Sequence, residues 1–173
     1  MKNQLHRNCS DHRSALVALV LLALTLTFIS PEQGFSAPRP PAFATANGDF
    51  NTVISDVYTE LGTSGGDTYY REDLVFLYGG DLTGTATDVN YMVIHADGSF
   101  DSYATEVCTS CTLGGRTGNF TATYVIHGAD FENYTGYLAF TGGTGGLSGL
   151  RGFGTFGRAN FNNTYSYQYR FVR

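Results

Sequence analysis

Tyr165-Ser166-Tyr167-Gln168-Tyr169-Arg170-Phe171, close to the C-terminus, carries an aromatic residue at every second position. Successive side chains of an extended strand point to opposite faces. The three tyrosines and Phe171 therefore share one face, and Ser166, Gln168 and Arg170 the other. Residues 118–127 repeat the pattern, with Phe120, Ala122, Tyr124 and Ile126 opposing Thr121, Thr123, Val125 and His127. Strands with one apolar and one polar face argue for an antiparallel sheet.

The rest of the chain beyond residue 44 reads the same way, with no helical period. Strands are expected at 50–61, 69–82, 85–94, 99–107, 118–127, 134–140, 147–156 and 165–172. The breaks carry turn chemistry: GTSGG at 62–66, Asp97-Gly98, GGRTG at 114–118, GGTGG at 142–146, and residues 159–163. Asp97-Gly98 reads as a tight hairpin in which both central residues take positive φ. Eight such strands without a covering helix leave exposed edges unless the sheet closes or folds into a sandwich. The strand glycines suit the bends of a barrel, and the absence of tryptophan and of a widely spaced cysteine pair disfavours an immunoglobulin-type sandwich. The fold class is all-β, a closed antiparallel β-barrel of about eight strands preceded by a signal peptide.

Residues 1–44 differ in kind. Lys2, Arg7 and Arg13 precede an apolar run over 15–29, shorter than the ~20 residues a membrane span needs and suited to a secretory signal. Ala42-Phe43-Ala44 offers a cleavage site after Ala44, with a second after Ala46. Residues 45–173 then form one barrel domain, secreted or periplasmic, with no stable membrane span after cleavage. A domain of this size buries roughly two thirds of its unfolded surface.

The mature part keeps six arginines, no lysine, and thirteen Asp and Glu residues, a formal charge of 6 − 13 = −7. Phosphates would be repelled, so nucleic acid is excluded as a partner. Without lysine, Schiff-base chemistry and lysine-based phosphate clamps are excluded too. Cys108-Thr-Ser-Cys111 holds the only cysteines after the leader. Behind a secretory signal this spacing reads as a local structural disulfide between Cys108 and Cys111 rather than half a zinc site or a redox motif.

Three stretches look familiar together: Gly79-Gly80-Asp81-Leu82-Thr83-Gly84 followed by Glu106; Gly114-Gly115-Arg116-Thr117-Gly118-Asn119-Phe120; and Gly142-Gly143-Thr144-Gly145-Gly146-Leu147-Ser148-Gly149-Leu150-Arg151-Gly152. They resemble a bacterial family of unknown function, the DUF3224-like domains, which has an allene oxide cyclase-like barrel. That family runs as GDL-x-G, then Glu, then GR-S/T-G-x-F ending in His-Gly, then GTG-x-L-x-G-L/I-R-G. The resemblance covers about residues 50–172 and implies an eight-stranded barrel; it brings no established activity. The chain departs from the pattern at CTSC, in lacking a tryptophan near the start, and in its leader.

An eight-stranded barrel has room inside for side chains or for one small ligand. The strand tyrosines, Tyr91 and Tyr124 among them, either fill the core or line such a ligand. Glu106, Arg116 and His127 sit at positions that match the family. Glu106 and His127 inside the barrel could move a proton in a cyclisation or isomerisation. Alternatively, Arg116 pairs with Glu106 to pin a turn while His127 caps a strand end. Arg151, flanked by glycines, binds a ligand carboxylate or pairs with an acid of its own domain. His95 and His127, the only histidines after the leader, make no recognisable metal site, there is no G-x-S-x-G elbow, and no cofactor signature is present. Two functions are therefore expected: a secreted barrel that binds a small apolar ligand or self-associates as a homo-oligomer through its outer face, and a cyclase or isomerase that holds an apolar substrate by shape and dry confinement.

Overall fold

The computed structural model describes residues 41–172, and within them the tyrosine run is the last of eight strands. These are β1 (Ala44–Ser64), β2 (Asp67–Gly80), β3 (Leu82–Ile94), β4 (Phe100–Leu113), β5 (Arg116–Asp130), β6 (Asn133–Gly145), β7 (Leu150–Ala159) and β8 (Asn162–Phe171). Each strand pairs antiparallel with the next, and β1 pairs with β8 to close the barrel. The signal peptide expected at 1–44 lies outside the described residues except for its last four, and Ala44 already opens β1. Among the described residues no helix is long and apolar enough to cross a membrane.

Alternation sets what points inward. Tyr165, Tyr167 and Tyr169 are buried while Ser166 and Gln168 are exposed. On β5, Phe120, Ala122 and Tyr124 are buried and Thr121 and Val125 exposed. The inward aromatics interlock: Tyr167 stacks on Tyr165 with centroids 4.6 Å apart and meets Phe140 edge-on at 5.6 Å. Each such pair adds about 0.5–1.5 kcal/mol beyond area burial. The glycines of the G-L-R-G-F-G stretch permit this packing. A Cβ at Gly154 would strike the Ser166 carbonyl and the Tyr167 backbone, so β7 lies too close to β8 for any side chain there.

The seam between β1 and β8 runs only from Ala44↔Tyr169 to Asp49↔Thr164. Beyond Asp49, β1 leaves β8 and continues to Ser64 paired with β2 alone. In that free half, Val53, Asp56 and Tyr58 line the cavity described below.

Three turns differ from expectation. Asp97 does not take positive φ; only Gly98 does, at 88°. The Gly98 N–H donates to the His95 carbonyl and the His95 N–H to the Ser99 carbonyl. This is a longer loop that ends in a left-handed glycine, not a two-residue hairpin. The 142–146 glycines stay in β6 up to Gly145, and the turn falls at 146–149, because the Leu147 side chain is fully buried and holds the loop inward. A further turn, at Phe131-Glu132, was not expected. There the Asp130 carboxylate accepts the Glu132 and Asn133 N–H groups at 2.8 Å each, the Asx arrangement.

β4 does not stop before the CTSC segment but runs through it as a bulge. Cys108 and Cys111 are bonded across that bulge, both fully buried, with Cα atoms 5.9 Å apart. Ser110 takes positive φ, and its N–H donates to Asn119 Oδ1 on the neighbouring strand. Thr109 and Ser110 thus oppose Asn119 alone, one extra residue on β4, and the ladder resumes at Cys111↔Gly118.

Candidate functional site

β3 inverts the usual burial rule. Ala86, Asp88, Asn90 and Met92 point inward, whereas Thr87, Val89 and Tyr91 face out. Its neighbours add two more acids to the interior, Glu72 from β2 and Glu106 from β4, the latter only 1% exposed. Asp88 and Glu106 are direct cross-strand partners, as are Glu72 and Asn90. Among the described residues none of the three acids is in an ion pair.

Hydroxyls and one amide hold these carboxylates instead. Tyr58 donates to Glu72 Oε1 at 2.6 Å and Asn90 Nδ2 to Glu72 Oε2 at 2.7 Å. Tyr124 donates to Asp88 Oδ2 at 2.7 Å. Tyr78 donates to both Glu106 oxygens at 3.0 Å, with the Tyr167 hydroxyl 3.3 Å away. Asp88 Oδ1, Asn90 Oδ1 and Ser102 Oγ are buried without a partner.

The electrostatics follow from this shortage of positive charge. Burial pushes Asp88 up to about 7, with the Tyr124 hydrogen bond opposing the rise and Glu72 adding to it. Glu106 is driven well above the carboxylate range, by burial first and then by Asp88, against the Tyr78 bond. At the rim, Asp56 is raised to about 6 by burial and by Glu72. Burial also raises the Tyr78, Tyr124 and Tyr167 phenols, which therefore stay protonated as donors. Near neutrality the interior can hold or release a proton at Asp88.

Beside these acids lies a cavity of about 130 Å³. Phe50, Leu74, Phe76, Met92, Ile126 and Phe156 form its apolar wall, and Glu72, Asp88, Asn90 and Tyr124 its polar one. Arg158 stands at the edge, its guanidinium donating to the Phe131 carbonyl.

The residues singled out from the sequence divide between inside and outside. Tyr124 and Glu106 are interior. His127 is on the outer surface, its Nδ1 2.7 Å from Asp101 Oδ1, so the structure does not bring it together with Glu106. Asp101 also meets His95, whose pKa is raised chiefly by that bond. Arg116 makes no pair with Glu106; its guanidinium lies 4.1 Å from the centre of the Phe171 ring. Arg151 is exposed and donates to the Leu150 carbonyl. Tyr91 faces outward over a separate open groove of about 400 Å³, with Tyr69, Tyr70 and Tyr103. It continues into a row of exposed side chains, Tyr91↔Tyr103↔Val125↔Tyr137 across β3 to β6, on which the expected self-association would have to rest. Sequence reasoning missed Glu72, Asp88, Asn90 and Tyr78. The signal for two of them was the shared parity of Ala86, Asp88, Asn90 and Met92. Among the described residues no group of three or more His, Cys, Asp or Glu side chains could hold a metal ion.

Fold and site together define a closed eight-stranded antiparallel barrel with a small cavity, aromatic on one side and acidic on the other. Among solved structures the chain is similar to a protein of unknown function from the DUF3224 family of Shewanella oneidensis MR-1. The TM-score is 0.62 at 21% identity, over 76% of this chain and 98% of that one. The likeness establishes the barrel fold. No family profile and no curated protein matches the sequence.

Proposed function

We propose that the barrel binds one small, largely apolar molecule in its interior, outside the cytoplasm. The cavity of about 130 Å³ between Phe76, Ile126 and Phe156 on one side and Asp88 on the other carries this reading. An apolar cavity of about 150 Å³ takes benzene, so the occupant is the size of a single ring or a short branched chain.

The inverted face of β3 supports it. Slipping that strand by one residue would turn Val89 and Tyr91 inward and Asp88 and Asn90 out to water. It would also spare a desolvation penalty of several kcal/mol per charge. Departures from the burial rule of this kind collect at functional sites. Export is supported by the basic and apolar pattern of residues 1–44 and by the paired Cys108 and Cys111.

Titration with toluene, followed by the methyl signals of Met92 and Ile126, tests the reading. Saturable shifts of both methyls are expected, and Leu74→Phe, which puts a ring into the cavity, abolishes them. Absence of any shift in the wild type would refute cavity binding.

A cyclase or isomerase acting on an apolar substrate is the second reading. Asp88 favours it, being an acid raised to about 7 at a cavity wall and so poised to give up a proton near neutrality. Turnover of such a substrate would fall as pH rises through about 7 and vanish in Asp88→Asn. Turnover unchanged by that substitution would exclude Asp88 as its acid.

A further inference from the structure

We infer that the ligand carries a protonated amine on its apolar body, and that Asp88 Oδ1 and Asn90 Oδ1 receive that amine. The inference rests on the cavity reading above and adds the chemistry of the head group.

Hydrogen-bond supply inside the barrel carries the argument. Among the described residues, the phenol and amide donors that reach the acids are already committed, Tyr58 and Asn90 to Glu72, Tyr124 to Asp88, Tyr78 to Glu106, while the buried Ser102 hydroxyl and Arg158 Nε reach no acceptor. Two acceptors are left over, Asp88 Oδ1 and Asn90 Oδ1, on consecutive inward positions of β3, both buried and both on residues lining the cavity. A buried acceptor without a donor costs about 1–3 kcal/mol, more when charged. The missing partner is therefore a donor, and one able to serve two acceptors on the same strand face. An ammonium has three N–H groups and no acceptor of its own.

Charge selects the cation over a neutral donor. Asp88 is faced by Glu72 on β2, Glu106 on β4 and the Tyr124 hydroxyl on β5, with Tyr78 of β2 and Tyr167 of β8 behind Glu106 and Asp56 of β1 beyond Glu72. No positive group stands among them, and Arg158 is held at the edge against Phe131. An ammonium supplies the absent counter-charge, and its bond to an ionised carboxylate is about twice as strong as a neutral one. A ligand bearing a carboxylate would meet Glu72 and Asp88 on the polar wall, with Arg158 only at the edge of the cavity, so acidic ligands are disfavoured. Because Asp88 holds its proton up to about 7, taking up an ammonium releases that proton, and affinity falls as pH drops below 7.

The test titrates the purified protein with toluene, benzyl alcohol, benzylamine and benzoate, again on the Met92 and Ile126 methyls. At pH 8 benzylamine is expected to bind at least tenfold more tightly than toluene or benzyl alcohol, and benzoate not at all. Between pH 8 and pH 6 benzylamine should weaken by about tenfold while toluene does not change, the linkage expected of one proton. In Asp88→Asn the preference for benzylamine over toluene should collapse to near unity. Toluene binding without a preference for benzylamine overturns the head-group inference and leaves the cavity reading standing. Equal affinity for benzyl alcohol and benzylamine overturns the cation and retains a donor. Failure of all four probes to bind overturns the cavity reading itself. The pH dependence in the wild type decides the matter independently of whether the variant folds.

Discussion

Asp88→Asn makes the protein more stable at pH 8 and changes its stability much less at pH 5. Asp88 is raised from 3.8 to about 7 in the folded protein. A raised acid binds its proton more tightly when folded than when unfolded, so stability is lost as pH rises from about 4 through 7 and is lowest above 7. The difference corresponds to roughly 4 kcal/mol above pH 7. Asparagine has the same shape and cannot ionise, so it removes this penalty while still accepting the Tyr124 hydroxyl. Exchanging a charged acceptor for a neutral one gives back about 1 kcal/mol. The expected gain at pH 8 is therefore about 2–3 kcal/mol, read as a higher urea midpoint.

The other shifts in the molecule act in the same direction over this window. Glu106 and Asp56 are raised acids, and His95 is a raised base that loses its stabilising charge as pH climbs. Asp97 and Asp101 are lowered, and their contribution is lost only in acid below about 4. Wild-type stability should accordingly decline from pH 5 to pH 8, and decline less in Asp88→Asn. Equal destabilisation by the substitution at both pH values would mean that Asp88 is an ordinary paired carboxylate.

Tyr167→Ala is expected to cost about 3–5 kcal/mol, the range for emptying a buried aromatic site. Tyr167 is 1% exposed and touches Tyr165, Phe140 and Tyr78 by its ring. Its collapse is resisted by the β7–β8 backbone contact at Gly154. Tyr167→Phe keeps the ring and loses only a 3.3 Å hydroxyl contact with Tyr78, which retains its own bond to Glu106. That variant should cost no more than about 1.5 kcal/mol. Urea unfolding separates the two, and a similar cost for both would place the importance of Tyr167 in its hydroxyl rather than its packing.

The barrel was legible wherever a strand obeys the simple rule of apolar side in and polar side out. β8 and β5 do, and their faces came out as read, including the parity that sets His127 with Thr121, Thr123 and Val125 on the outside. β3 does not, because its inward face carries Asp88 and Asn90 into a polar part of the cavity. A reader applying the rule turns Tyr91 inward and loses both residues. Glu106 was found through a family motif, not through its burial, which only the parity of Phe100, Ala104 and Cys108 along β4 explains. Arg116 looked like the natural partner of Glu106, yet its turn lies at the end of the barrel, against Phe171. Strand ends failed where side chains rather than glycines decide them: Leu147 pulls its loop inward past the glycine run, and Cys111 carries β4 through a segment that reads as a break.

Titration of the Asp88 side-chain carboxyl carbon by NMR, with the resonance assigned from Asp88→Asn, tests the account most directly. A midpoint near 7, moving down when benzylamine is added, is the result expected of an uncompensated acid on the cavity wall. A midpoint near 4, unmoved by the amine, would mean that Asp88 is solvated or paired, and would remove the basis of the acid-lined binding site.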